Sequence, residues 1–293
     1  MSKRSARLLL VFVFISRGTS FLFSKTLLET LSPLDVLAVR FLLAFLIVSL
    51  VFHKKLGHAS RASLRGGLIL GVLCTAVMIL EMFGLRLIDS GVSALIENMA
   101  IILVPVFMAI ITRTRPRKKT ILCAALAVIG VGFLSLTQTQ NPGGGLGMLL
   151  IILAALAYSV FIIVTEKVTQ QADPLTVGIV QIGTTGALSL AASFLLSGGL
   201  RLPHTSSEWI LMLLLVFLCS CFGFAFQPVG QKHLPAEEAA VLTVINPLTA
   251  SVLGIAVAGE SLNLSKMIGY ILILTALILY RSEEHKSELP VTS

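Results

Sequence analysis

Apolar side chains form long runs along this chain, each closed by a short cluster of polar residues. A run of about 20 apolar residues is long enough for a helix to cross about 30 Å of hydrocarbon. Division of the runs at charged residues and at Gly or Pro predicts ten membrane-spanning helices. The predicted spans are Leu8–Leu28, Leu34–Phe52, Gly66–Ile88, Gly91–Thr112, Thr120–Thr137, Leu146–Val168, Leu175–Ser197, Trp209–Gly230, Ala236–Ala258 and Lys266–Tyr280.

Composition supports a lipid environment for nearly the whole chain. Of its 293 residues, 56% are hydrophobic and 12% are charged, a balance far more apolar than that of soluble domains. The net charge of +8 comes from Lys and Arg in short connections, without the aromatic interleaving of a nucleic-acid surface. We therefore expect the lipid bilayer, and no nucleic acid, as the surroundings of this protein.

Basic residues also predict the orientation. They cluster before the first span, between the second and third spans, and between the fourth and fifth, whereas the intervening connections carry acids such as Glu29 and Asp89. Connections rich in Lys and Arg stay on the cytoplasmic side. We therefore predict a multi-pass protein of the bacterial inner membrane with both termini in the cytoplasm. The Arg113–Lys119 connection should be cytoplasmic, and the Gln138–Gly147 connection should lie outside.

The two halves of the chain are similar to each other. Residues 33–40 (PLDVLAVR) match residues 174–181 (PLTVGIVQ) at a constant shift of 141, and each half contains five predicted spans. Because five is odd, the second copy must enter the membrane from the opposite side, as in the inverted repeats of secondary transporters. We predict an all-α fold with a first repeat at 1–140, a linker at 141–147, a second repeat at 148–282 and a cytoplasmic tail at 283–293. Chance similarity between apolar segments of narrow composition is the alternative.

Short motifs in both halves are similar to those of one known family. They are GTSFLFSK at 18–25, LSPL at 31–34, VRFLLA at 39–44, GLR at 84–86, SALIEN at 93–98, VP at 104–105, QKHLP at 231–235, NP at 246–247, GE at 259–260 and IGY at 268–270. With these motifs the chain resembles the EamA-like branch of the drug/metabolite transporter superfamily. The resemblance implies a ten-helix inverted-repeat carrier and leaves the substrate open. It departs in one place, because the first half has Arg113-Thr114-Arg115 where the second has Gly259-Glu260. We interpret Glu260 as structural.

Ionisable side chains inside apolar spans cost several kcal/mol unless they are paired or wetted, with estimates from about 2.5 to above 10 kcal/mol. Arg17, Arg40, Glu81 and Glu97 fall in such positions, and all four can reach one outward-opening vestibule. Arg17 and Arg40 have the alternative role of fixing helix packing, the latter by pairing with Glu81 or Glu97. We interpret Glu81 as the counter-charge of Arg86.

Glu97 with its neighbour Asn98 is the sharper signal, because an acid in an otherwise apolar helix can take up and release a proton as its hydration changes. In the second half the polar candidates are neutral: Gln181 stands opposite Arg40 in the repeat, and Gln227 and Asn246 precede prolines that free backbone carbonyls. Tyr158 is a candidate wall residue, with helix packing as its alternative. The predicted substrate or coupling residues are Arg17, Arg40, Glu97, Asn98, Tyr158, Gln181 and Asn246.

No catalytic or cofactor motif accompanies these residues. The five histidines fall in loops or at helix ends, the four cysteines lie in apolar runs without metal-ligand spacing, and the Gly-rich linker lacks a Gly-Lys-Ser/Thr sequence. We expect no enzyme activity, no cofactor and no metal. The predicted function is secondary transport of a small polar metabolite, amino acid or drug-like solute by alternating access, driven by protons or exchange. The alternative is a membrane scaffold without transport activity, and the sequence leaves monomer and homodimer open.

Overall fold

Helices joined by short turns form the part of the chain that the computed structural model describes, namely residues 1–113, 118–138, 142–235, 238–239, 242–243, 245–260 and 262–287. In chain order they are α1 (Lys3–Leu27), α2 (Pro33–Val51), α3 (His53–Gly57), α4 (Arg61–Leu87), α5 (Ser90–Glu97), α6 (Ala100–Ile111), α7 (Lys118–Gln138), α8 (Gly144–Gln171), α9 (Pro174–Ser197), α10 (Ser206–Leu214), a π-helical segment (Leu215–Phe224), α11 (Ala225–Gln231), α12 (Ile245–Ala256) and α13 (Leu264–Ser287).

Several helices are long enough to span a membrane. Within the described ranges, seven helical stretches are long and apolar enough to cross a bilayer, and they coincide with seven of the predicted spans. Three shorter apolar helices, Ile121–Leu134, Ile245–Ala256 and Leu264–Ala276, occupy the places of the predicted fifth, ninth and tenth spans. The all-helical, multi-pass architecture is therefore confirmed, and the count of ten stays a prediction.

Several helices begin where a small polar side chain satisfies a free backbone N–H group. Ser32 caps α2 and Ser60 caps α4, while Asp173 caps α9 and Thr205 forms a capping box with Glu208 at α10. Proline follows the cap in α2 and α9, at the first position of the helix, where a missing N–H costs nothing. These signals fix the helix starts that the hydrophobic runs alone leave uncertain.

Apolar side chains lie on the outside of the bundle and charged side chains inside it, a distribution suited to lipid. The outer surface exposes large apolar side chains such as Leu50 and Leu195, which are 73% and 82% exposed. The interior holds charged groups instead, including Arg17, Arg40 and Glu97, none of them more than 3% exposed. Hydrocarbon solvates apolar side chains on the outside but cannot solvate charged ones. Charged and polar groups are therefore placed inside the protein, where other protein groups solvate them.

The two halves interleave and do not form separate bundles. α4 packs along α8 and α9, α2 packs along α9, α7 along α13, and both α1 and α5 along α12. Close approach of α4 to α9 depends on Gly67 and Gly71: an added Cβ there would stand 2.5 Å from Val180 and 2.4 Å from Thr184. The four-residue spacing of these glycines therefore forms a helix-contact face.

Two predicted spans are not the regular helices expected. The stretch predicted as Gly91–Thr112 is interrupted between α5 and α6 by a tightened turn, in which the Met99 N–H donates to the Ile96 carbonyl at 3.0 Å; the Asn98 side chain adds a bond to the Ala94 carbonyl at 2.7 Å. The stretch Trp209–Gly230 contains the ten-residue π-helical segment. Both irregularities lie beside buried polar groups, where non-helical backbone finds partners within the protein.

Some sequence predictions fall partly outside the described residues. These are the basic connection Arg113–Lys119, of which residues 114–117 lie outside, the connection that contains residues 139–141, and the start of the ninth span at residues 236–237. The predicted linker 141–147 is in part helical, since α8 begins at Gly144. The predicted tail 283–293 likewise begins inside α13, which continues to Ser287.

Candidate functional site

Arg17, near the middle of α1, is the centre of a buried polar cluster. Its Nη1 donates to the Tyr158 hydroxyl at 2.7 Å and to the Gln227 amide oxygen at 3.0 Å. The guanidinium carbon lies 4.8 Å from the ring centroids of both Tyr158 and Phe224, within the range of cation–π attraction. Arg17 comes from the first half of the chain and these three partners from the second, so the cluster joins the two halves.

Glu97 is the ion-pair partner of Arg17. Its Oε1 lies 3.5 Å from Arg17 Nη2, and the glutamate is fully buried at the C-terminal end of α5. The packing alternative in which Arg40 holds Glu97 is therefore wrong, because Arg17 occupies that place. The break between α5 and α6 comes immediately after Glu97 in the chain, so this residue lies on the last turn of a short helix.

Glu81 on α4 is a second acid of the same cluster. It is 2% exposed, and its carboxyl interacts with that of Glu97 and with the charges of Arg17 and Arg40. Arg86 is exposed, so the interpretation of Glu81 as its counter-charge is wrong. The five-residue spacing already argued against that interpretation, since side chains five positions apart lie about 140° apart around a helix and do not face each other.

Arg40 on α2 lies next to the cluster and is 1% exposed. Its Nε donates to the Ser220 hydroxyl of the π-helical segment at 2.7 Å. Its guanidinium carbon lies 5.1 Å from the Phe41 ring and 5.6 Å from the Phe224 ring, which also faces Arg17. Nη1 and Nη2 have no hydrogen-bond partner within the described part of the chain.

The remaining predicted residues are buried amides. Gln181 on α9 is 1% exposed and reaches Cys74 of α4, while Asn98 and Asn246 are fully buried. Among the described residues, the amide oxygens of Gln181 and Asn98 and both amide atoms of Asn246 lack hydrogen-bond partners. The Asn246 backbone lies against Gly18, the residue after Arg17, because an added Cβ on Gly18 would stand 2.7 Å from its carbonyl oxygen.

A narrow gap runs along this cluster, and it is too small to hold a water molecule. Of the seven predicted site residues, Arg17 and Tyr158 line it, together with Cys74, Val77, Met78, Phe161 and Phe224. The predicted outward-opening vestibule is therefore absent from this arrangement of the described residues. Sequence reasoning missed Phe224 and Cys74, because an aromatic ring and a thiol in apolar runs have no signal that separates them from packing residues.

Polar contacts close one end of the bundle around the start of α5. Lys266 Nζ lies 2.7 Å from Asp89 Oδ2. The Glu260 carboxylate accepts the Ser90 N–H at 2.7 Å and the Gly91 N–H at 3.3 Å, and also the Ser90 hydroxyl. Glu260 thus caps a helix of the other half, which gives the structural interpretation of this residue a physical basis.

The opposite end is held by contacts around the start of α9. Lys55 Nζ lies 3.2 Å from Asp173 Oδ1, and Arg7 pairs with Glu238. Partial burial raises the pKa of Asp173, but hydrogen bonds from the Thr176 backbone and hydroxyl and the neighbouring Lys55 outweigh it and leave the pKa below its ordinary value. Charged pairs therefore lie towards both ends of the bundle, those around α9 being largely exposed.

Comparison with known proteins agrees with a chain built from two repeats. The sequence matches the EamA-like transporter family over residues 4–136 and again over residues 145–282. The chain belongs to the EamA-like transporter family. The first matched range of this EamA-like protein contributes Arg17, Arg40, Glu81 and Glu97 to the site, and the second contributes the uncharged partners.

Two further similarities agree with this assignment to the EamA-like family. An uncharacterized transporter of Archaeoglobus fulgidus is 25% identical over 248 residues, which are 84% of this chain and 86% of that protein. A protein of known crystal structure is 17% identical and superimposes with a TM-score of 0.72 over 95% of this chain and 98% of its own. At that identity the second similarity shows a shared fold. The resemblance read from the sequence motifs is confirmed, and the protein is a membrane transporter by family.

Proposed function

We propose that this protein is a secondary carrier that moves a small polar solute across a bacterial inner membrane by alternating access, with both termini in the cytoplasm. The observation that carries the proposal is the Arg17 cluster. A guanidinium is held at mid-membrane depth by an acid of its own half and by two uncharged groups of the other half. Such an expensive buried arrangement is typical of a substrate or ion pathway.

The closed state of the site fits a carrier between its two open forms. The cavity beside Arg17 excludes water, and charged groups hold the bundle at both ends, at Asp89 with Lys266 and at Lys55 with Asp173. Opening of one set of contacts at a time would expose the cluster to one side of the membrane only. Glu97 is then positioned to exchange a proton with the accessible side, which supports coupling to protons or to a counter-substrate.

Solute exchange in proteoliposomes tests the proposal. Purified protein should accelerate counterflow of at least one solute in a panel of labelled amino acids, monocarboxylates and amines, relative to protein-free vesicles. Glu97→Gln should keep a normal unfolding temperature while transport or its pH dependence is lost. Glu29→Gln, which removes an exposed acid, should transport as the unmodified protein does.

A variant Glu97→Gln with unchanged transport and an unchanged pH profile rules out the coupling role, and one that fails to fold favours a structural role. A scaffold protein would give no exchange with any solute. The orientation has a separate test, because Gly57 and Gly145 are both exposed with open space around the Cβ position. In intact cells an impermeant thiol reagent should label Gly145→Cys and not Gly57→Cys, and the reverse result refutes the predicted orientation.

A further inference from the structure

Arg40 is a buried cation of the site whose hydrogen-bond donors the described protein groups leave incompletely satisfied, as they do oxygens of the Glu81 and Glu97 carboxyls. A guanidinium has five N–H donors, and only its Nε finds a partner among the described residues, the Ser220 hydroxyl. The side chain is 1% exposed, so bulk water does not reach the two Nη groups. A buried donor without a partner is destabilising, and more so when it belongs to a charged group. The outer edge of this guanidinium is therefore poised for a ligand.

The surroundings of Arg40 favour an anionic ligand over other protein groups. Phe41 and Phe224 cover its flanks with apolar rings that offer no hydrogen-bond acceptor. Phe224 also contacts Arg17, so this ring separates the two guanidinium groups; Arg40 itself does not line the narrow space beside Arg17. Arg17 offers less to a ligand, because its Nη1 is already bound to Tyr158 and Gln227 and its Nη2 faces Glu97.

We infer that Arg40 binds the carboxylate group of the transported solute, with Nη1 and Nη2 each donating to one carboxylate oxygen. The planar fork of a guanidinium matches a carboxylate in a bidentate arrangement, which a lysine ammonium cannot reproduce. The packed site leaves no room even for a water molecule, so the ligand reaches Arg40 only when the bundle opens. This inference deepens the proposed function and rests on it, because it names the substrate class of the same site.

The charges of the site agree with a carboxylate. Two guanidinium groups, Arg17 and Arg40, face two carboxyl groups, Glu81 and Glu97, which interact with each other. A cluster in which the two carboxyls share one proton would carry one negative charge against two positive charges, and a bound carboxylate would make it neutral. The uncharged amides of Gln181 and Asn246, whose oxygens are without partners in the described chain, can receive a polar group at the other end of the solute.

Paired acids and amides test this inference on the purified full-length protein. The probes are acetate, propionate and butyrate against acetamide, propionamide and butyramide, and amino acids against their amides. The readout is the unfolding temperature followed with a thiol-reactive dye, because Cys74, Cys123 and Cys219 are buried and become reactive on unfolding. A ligand that binds the folded state raises this temperature with its concentration. We expect at least one acid to act at concentrations at least tenfold lower than its amide.

Arg40 variants assign the effect to this side chain. Arg40→Gln should abolish the preference for acid over amide, and Arg40→Lys should weaken acid binding about tenfold because the fork is lost. Arg86→Gln, which removes an exposed arginine, should keep the preference. Equal effects of acids and amides on the unmodified protein, no effect of any acid, or a preference that survives Arg40→Gln would overturn the inference.

The comparison of acid with amide on the unmodified protein stands even where Arg40→Gln fails to fold, and Arg40→Lys then replaces it. Failure of this inference is distinguishable from failure of the proposed function. Exchange of neutral or cationic solutes that depends on Glu97, without any response to acids, keeps the carrier and removes the carboxylate site. Absence of exchange for every solute removes the carrier itself, whatever the unfolding temperatures show.

Discussion

The two halves of the chain both match the EamA-like family and supply different chemistry to one site. The first half provides all four charged groups that the described structure places in the cluster, whereas the second half provides a phenol and amides. At the repeat shift of 141, the pair Arg40 and Gln181 shows the difference directly: a cation in one copy stands where a neutral amide stands in the other. One half therefore carries charge, and the other half solvates it.

A second comparison shows that the repeat can exchange chemistry without losing structure. In α2 the cap is Ser32, whose hydroxyl donates to Asp35 Oδ2 at 2.7 Å. In α9 the cap is Asp173, which accepts from the Thr176 hydroxyl at 2.7 Å. The acid and the hydroxyl have changed places while the pair across the first helical turn is kept. Local structure in the repeat is thus specified by the pair and not by either residue alone.

The first half supplies the charge at the centre of the site, and removal of this charge from Arg17 should have the largest effect on stability. Arg17→Met leaves Glu97 buried without its ion-pair partner and should lower the free energy of unfolding by about 3–5 kcal/mol, with loss of transport. Thermal unfolding in detergent measures it, with the exposed Arg86→Met as control. The double variant Arg17→Met/Glu97→Gln should recover part of the loss, because no unpaired charge remains. A loss for Arg17→Met no larger than that of the control contradicts the central role of the pair.

A neutral partner from the second half should matter less. Gln227→Leu removes one hydrogen bond to a charged group and should cost about 1.5–3 kcal/mol, while Arg17 keeps Tyr158 and Glu97. Gln170→Leu is the matched control, because this exposed glutamine donates only to the Lys232 carbonyl, at 3.3 Å. If both variants have the same stability, the second half does not solvate the charge.

The exchanged cap pair predicts a smaller effect. Asp173→Ala should cost about 0.5–2 kcal/mol, as for other lost N-caps. The double variant Asp173→Ser/Thr176→Asp copies the Ser32–Asp35 pair of α2 and should regain part of the loss. It lacks the exposed Lys55 pair, worth at most about 1 kcal/mol, and the additional hydrogen bond that the buried Asp35 accepts from the Ser193 hydroxyl in α2. Unfolding temperatures of the three proteins decide it. A double variant as unstable as Asp173→Ala means that the caps are not interchangeable.

The smallest expected effect is the pH dependence of the stability that the Asp173 cap contributes. The pKa of Asp173 is lower in the folded protein, so its ionised form stabilises the fold above its unfolded pKa of about 3.9. This contribution is lost as the pH falls through the folded pKa. Asp173→Asn keeps a capping oxygen but does not titrate. The difference in unfolding temperature between the two proteins should be constant from pH 7 to 5 and should shrink below pH 4; a difference that grows there refutes the assignment.

The sequence predicted much of this arrangement, for physical reasons that hold before folding. Charges within apolar runs are so unfavourable in lipid that Arg17, Arg40 and Glu97 could only be placed in the protein interior, and all three are buried there. The pairing was not predictable from the sequence, because both arginines lie on other helices than Glu97. Which of them reaches the glutamate depends on how α1, α2 and α5 pack.

Irregular backbone also escaped prediction. The π-helical segment places Ser220 beside Arg40 and Phe224 between the two arginines, but its sequence LVFLCSCFGF reads as an ordinary apolar helix. A π-helical turn contains more residues than an α-helical turn, and nothing in side-chain periodicity marks it in advance. The break after Glu97 had a better signal, the Asn98 side chain that competes with the helix for the Ala94 carbonyl.

Helix α5 is complemented electrically at both of its poles. The peptide dipoles of a helix leave about half a positive charge at its first turn and about half a negative charge at its last. Glu260 lies at the positive pole through the N–H groups of Ser90 and Gly91, and the Arg17 guanidinium lies beside the last residue, Glu97, at the negative pole. The eight residues separate these poles by only about 12 Å. Withdrawal of Glu260 would leave the positive pole without its counter-charge, so the placement of Glu97 at one end of α5 is tied to an acid of the other half at the opposite end.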